Sequence, residues 1–219
     1  KGQGEKMLAL MTLAYMGMHP NREVMGEGLD YMLGLDPDAD IPRQRGYIVP
    51  IRSMALTYLH DDLAGSELTG SKLRRLRHRV QRDMMRFAVG QAPIGGWRYK
   101  LEGSRFDFSV TQWPLLAMRD AWLVGIELPS KDPVKKALQL YFAKQKADGG
   151  WNYGAHGDQE ASYGAMTAAG VASLYIIRDL LDPGTGCPCR GGRSPRATTE
   201  IDRRIERGVE WLGLNFTAK

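Results

Sequence analysis

Gln91-Ala-Pro-Ile-Gly-Gly-Trp97 and Gln145-Lys-Ala-Asp-Gly-Gly-Trp151 share the pattern Q-x3-G-G-W at a distance of 54 residues. Each is followed, after one residue, by a tyrosine, Tyr99 and Tyr153. The residue types suggest a purpose. The amides of Gln91 and Gln145 can tie one helix end to the start of a neighbouring helix, and Gly95, Gly96, Gly149 and Gly150 permit a tight turn with positive φ. Trp97 and Trp151 then bury large rings between the joined elements. Both turns are therefore expected to be structural joints rather than ligand contacts.

The flanks match as well. Phe87 and Tyr141 precede the two turns at the same offset, as do Met84 and Leu138, while Asp107-Phe-Ser109 and Glu160-Ala-Ser162 follow them. Gly28-Leu-Asp-Tyr-Met32 resembles Gly208-Val-Glu-Trp-Leu212, so the unit extends towards both ends. Units of this length cannot bury their own apolar faces and argue for a stacked array. Leu73, Leu76, Val80, Met84 and Phe87 recur at three and four positions with arginines between them, which is the period of an amphipathic helix. The same spacing predicts helices over 8–16, 25–33, 115–122, 134–142 and 166–181, about eight in four hairpins. The class is all-α, in one domain over 1–219. A run of turn formers at 182–198 reads as a loop insertion. The segment 47–49 is the one strand candidate, and Asp36-Pro-Asp-Ala-Asp40 reads as a loop. Ser109 and Ser162 are the expected N-caps of the helices that follow them, with Asp107 and Glu160 adding charge at the helix starts.

The two Q-x3-G-G-W turns resemble the QW repeat of squalene-hopene and oxidosqualene cyclases, the prenyltransferase and squalene oxidase repeat. The resemblance covers roughly residues 5–216 and weakens at the insertion. Phe108-Ser-Val-Thr-Gln and the stretch from Ser162 to Gly170 are closer to a bacterial branch of these repeat proteins than to a true cyclase. What the resemblance implies is an α/α toroid, a ring of inner and outer helices around a central cavity, of which about four hairpins would be an incomplete part. It also implies a structural role for the glutamine, glycines and tryptophan of each turn.

The family's chemistry can be sought residue by residue. Class II terpene cyclases protonate an alkene with the middle acid of D-x-D-D-T, and the nearest stretch here is Asp107-Phe-Ser109-Val110-Thr111. A serine hydroxyl cannot serve as that acid. Cys187-Pro-Cys189 lacks the D-x-C and histidine context of the prenyltransferase zinc site and the thioester motif of complement-type toroids, so no metal or cofactor is expected. Asp107 and Glu160 follow the two turns at matched positions, and this predicts paired carboxylates near Tyr99 and Tyr153. Such a pair suits a cation, a sugar, or acid and base catalysis. His156 and Asp158, after Trp151, are placed at the mouth of the expected cavity as further ligand contacts. His19, His60 and His78 are expected in surface or capping roles.

With 219 residues, 43% of them hydrophobic, the chain can build a sizeable core. No apolar run approaches the ~20 residues that span a bilayer. The sequence opens at Lys1 beside a periodic apolar stretch and closes on another, so both ends are expected to be internal to a longer protein. The net charge of +5 comes mainly from 72–86. Lys72, Arg74, Arg75, Arg79 and Arg82 on that helix could meet an anionic membrane surface. Nucleic acid is not expected, because no exposed aromatics alternate with the arginines. The function expected is a binding scaffold for an apolar small molecule, a glycan or a protein. The alternatives are an isoprenoid enzyme whose acid motif lies elsewhere and a carbohydrate-active barrel using Asp107 and Glu160.

Overall fold

Leu76, Val80, Met84 and Phe87 lie fully buried along one side of a 21-residue helix, as their spacing predicts. The computed structural model describes residues 2–40, 43–64, 70–154, 160–182 and 199–215. Among them all regular structure is helical: α1 (Gln3–Tyr15), α2 (Glu23–Gly34), α3 (Pro37–Asp40), α4 (Arg45–Tyr58), α5 (His60–Ala64), α6 (Gly70–Gly90), α7 (Phe108–Leu123), α8 (Asp132–Lys144), α9 (Gly164–Leu181) and α10 (Glu200–Asn215). Helices α1, α4, α7 and α9 pack as successive neighbours. Helix α6 lies across α4 and α5 and touches α2, α7 and α8, while α8 and α10 both pack on α9. The insertion 182–198, Asp182 excepted, lies outside the described residues, with Cys187 and Cys189.

Two local expectations are corrected. The segment 47–49 is not a strand but the first turn of α4, whose Gly46 and residues 48–57 are all buried. A helix closed in on every side has no polar stripe, and so no helical period shows in its sequence. The acid-rich stretch 36–40 contains the short helix α3 rather than only loop, and Arg86 binds both carboxylate oxygens of Asp38 at 2.8 Å while Arg45 also pairs with it.

Both tryptophan turns use one set of bonds. Gln91 Nε2 donates to the carbonyls of Gly95 and Pro133 at 2.8 Å, and Gln145 Nε2 donates to those of Gly149 and Arg204 at 2.8 Å. Each glutamine therefore joins its own turn to the early turns of the following helix, α8 or α10. Gly95 and Gly149 have φ of +106° and +95°. A Cβ there would lie 2.3 Å from the Lys136 carbonyl oxygen or 2.6 Å from that of Arg207, so only glycine fits. Trp97 and Trp151 are fully buried, and their indole N–H groups donate to the carbonyls of Phe87 and Tyr141 at 2.8 and 3.1 Å.

A polar group sits inside the core. Arg52 of α4 and Asp83 of α6 form a two-pronged ion pair with distances of 3.1 and 2.5 Å, joined by the Ser53 hydroxyl at 2.9 Å. The third Arg52 nitrogen donates to the carbonyl of Leu35, which ends α2, at 2.9 Å, so α2, α4 and α6 meet at one charge-assisted junction. Helix α9 has the length and apolar composition of a membrane span. It contacts α7, α8 and α10, and its buried residues run from Met166 to Leu180, as befits a core helix.

Candidate functional site

The tyrosine after each turn sends its carbonyl to the start of the preceding helix in the row. Gly46 N–H, at the head of α4, donates to the Tyr99 carbonyl at 2.8 Å, and Phe108 N–H, at the head of α7, donates to that of Tyr153 at 3.1 Å. Gly46 permits the approach, since a Cβ there would lie 2.5 Å from the Arg98 carbonyl oxygen. These main-chain bonds gather the side chains of Tyr47, Tyr99, Trp113 and Tyr153 at the N-terminal ends of α4 and α7. The Tyr99 and Tyr153 hydroxyls meet at 2.7 Å, and the Tyr47 hydroxyl meets that of Ser109 at 2.9 Å. The Tyr47 ring lies 5.7 Å from Tyr99 and 6.3 Å, edge-on, from Trp113. The grouping is an aromatic surface edged with hydroxyls.

Asp107 lies beneath it with no exposed surface. It caps α7: its Oδ1 accepts the Val110 N–H at 2.7 Å, whereas Oδ2 has no hydrogen-bond partner and stands 3.8 Å from Arg98 Nε. Burial raises its pKa, against the pull of the Val110 N–H, Arg98 and the nearby Tyr153. Burial likewise raises the tyrosines Tyr47 and Tyr153, the latter helped by Tyr99 and the Asp107 charge. The site thus favours neutral hydroxyls around a carboxyl held off from solvent.

The expected pairing of Asp107 with Glu160 does not form. Asp107 N–H donates to the Trp97 carbonyl at 3.1 Å, and in the second turn the residue doing this, also at 3.1 Å, is Tyr163. The Thr111 and Thr167 hydroxyls confirm the register, each accepting from the tryptophan N–H at 3.1 Å. Two additional residues separate turn from helix in the second unit, which carries Glu160 out of step. Its carbonyl accepts from Asn152 Nδ2 at 3.1 Å, and its residue is exposed. Tyr163, exposed and raised by burial with help from Glu160 and Asp107, takes the place of the second acid. Ser109 and Ser162 are not the N-caps either. Asp107 and Tyr163 hold those positions, and the Ser162 hydroxyl donates to Asp148 at 2.9 Å.

His156 and Asp158 lie outside the described residues. Among those described, no three histidine, cysteine or acidic side chains are grouped so as to hold a metal. His19 accepts the Asn21 N–H, whereas His60, expected in a surface or capping role, is buried and bonded to Asp61 and Arg77 at the α5–α6 contact. Tyr47, Trp113, Arg98 and Tyr163 were not among the expected site residues. Aligning Thr111 with Thr167 rather than Asp107 with Glu160 would have found Tyr163. The chain matches no protein-family model, no curated protein and no solved structure.

Proposed function

We propose that the chain is a segment of an α/α toroid of the QW-repeat kind, acting as a binding scaffold rather than a cyclase, and that its ligand is a glycan held at the tyrosine surface. The observation that carries this reading is the cluster of Tyr47, Tyr99, Trp113 and Tyr153 over a closed-off Asp107. Aromatic faces accept the C–H side of a sugar ring, and phenolic hydroxyls donate to and accept from its hydroxyl groups. Catalysis would need a carboxyl within reach of the scissile oxygen. Asp107 is sealed, and Glu160 lies out of step with it. An isoprenoid diphosphate would call for free cations, but the arginine beside the cluster, Arg98, faces the Asp107 carboxylate. The succession of contacts α1 to α4, α4 to α7 and α7 to α9, with α6 packed on α4 and α8 and α10 on α9, supports the toroid reading.

The test is calorimetric titration of a panel of soluble oligosaccharides, with squalene and geranylgeranyl diphosphate incubated in parallel. Binding of a sugar, weakened about tenfold or more by Tyr99→Ala and Trp113→Ala, is the expected result. Cyclised product from either isoprenoid, or a panel without a binder, overturns the proposal.

A further inference from the structure

The outward side of α6 presents Arg74, Arg75, His78, Arg82, Met85 and Val89, a stripe at three- and four-residue spacing with no acid in it. Its first part is cationic. Its last part is apolar and open: Met85 is 53% and Val89 86% exposed. Of the five residues whose charge suggested a membrane contact, two are engaged. Lys72 pairs with Asp30 at 3.2 Å, and Arg79 donates to the Leu33 carbonyl at 2.7 Å from a half-buried position.

Beside the stripe runs an open groove of about 310 Å³, lined by Arg79, Arg82, Arg86, Met85 and Val89 among others. Its charges are unbalanced. The two acids in the wall have arginine partners outside it, Asp83 with Arg52 and Glu102 with Arg45, and Arg86 is held by Asp38. Arg79 and Arg82 are left as the net charge. Burial, together with the neighbouring Arg52 and Arg82, outweighs the pull of Asp83 and Asp36 and disfavours the Arg79 cation, a cost that an anion in the groove would offset.

We infer that this face of α6 docks on an anionic lipid bilayer, with headgroup phosphates taken by Arg79 and Arg82 and with Met85 and Val89 entering the acyl boundary. Arg74 and Arg75 add long-range attraction. The apolar end favours lipid over nucleic acid, which would want stacking aromatics where Met85 and Val89 stand.

Co-sedimentation with vesicles of phosphatidylcholine alone, and with vesicles containing phosphatidylglycerol, tests the proposal, with a DNA duplex and inorganic phosphate as competitors. Binding is expected only to the anionic vesicles. Reversal of three exposed charges, Arg74→Glu, Arg75→Glu and Arg82→Glu, should weaken it about tenfold or more with an unchanged circular dichroism spectrum. The pair Met85→Ser and Val89→Ser, at constant charge, should weaken it too. Equal binding to both vesicle types, or none, overturns the proposal. So does anionic binding that the serine pair leaves untouched, or that DNA or phosphate displaces, since that would mark a general polyanion surface. Oligosaccharide titration of the same variants should be unaffected, which keeps this surface separate from the tyrosine cluster.

Discussion

Asp107 stands at the start of α7 with its carboxyl closed off from solvent. Its carboxyl closes the first turn of α7 and is raised by burial, so its ionised form costs the folded state free energy. The sign follows: an acid with a raised folded pKa contributes most when neutral, and that contribution declines as pH climbs from the ordinary value of 3.8 through the folded one. Asp107→Asn keeps an oxygen for the cap and removes the charge. Its melting temperature near neutral pH is expected to equal or exceed that of the parent, whereas Asp107→Ala should lose about 1 kcal/mol in chemical denaturation. Gly95 is the opposite case, legible from the start. Its positive φ and the 2.3 Å approach of the Lys136 carbonyl make Gly95→Ala costly by about 3 kcal/mol in the same measurement. What could be read at this scale was backbone need, because glycine and tryptophan types declare it. What could not was register, because the two extra residues before Tyr163 sit in a segment without periodicity.

At the scale of elements, long helices with one wet side were visible, while the closed-in α4 and the short α3 and α5 were not. Helix α6 announces itself through arginines alternating with Leu76, Val80, Met84 and Phe87, whereas α4 carries Arg52 and Ser53 into the core and Pro50 within its length. Its polar residues are inside, so the rule that polar means outside misreads it. The junction of Arg52 with Asp83 gives a test. Asp83→Asn alone should destabilise by about 3–5 kcal/mol by leaving a buried guanidinium short of its partner, and replacing the pair together, Arg52→Met with Asp83→Leu, should recover much of the loss. The glutamine joints give another. Gln91→Ala removes one bond within its turn and one to α8, Gln145→Ala one within its turn and two with Arg204 of α10, and each should cost about 1–3 kcal/mol by urea titration.

For the molecule as a whole, acid should loosen the fold at two separate carboxylates, Asp38 and Asp202. Hydrogen bonds from Arg86 and Arg45 outweigh burial and hold Asp38 at about 2, and at Asp202 burial is outweighed by the bonds from Thr199 and Arg178, again to about 2. Depressed folded pKa values mean that this stability is present above the ordinary 3.8 and disappears as pH falls towards 2. Thermal melts should therefore fall across that window, modestly at Asp38 because solvent screens its exposed carboxylate, and less in Asp38→Asn. Asp38 joins α3 to α4 and α6, and Asp202 joins α10 to α9, so protonation loosens contacts at separate places in the row.

The carbonyls of Tyr99 and Tyr153 have a further consequence. Because each belongs to one turn yet holds an amide in the first turn of an earlier helix, neither turn can open without releasing the head of the helix before it. Amide hydrogen exchange at Gly46 and Phe108 should then report not the fraying of α4 and α7 but the opening of the turns beyond them, so that disorder, once begun, would travel towards the amino end.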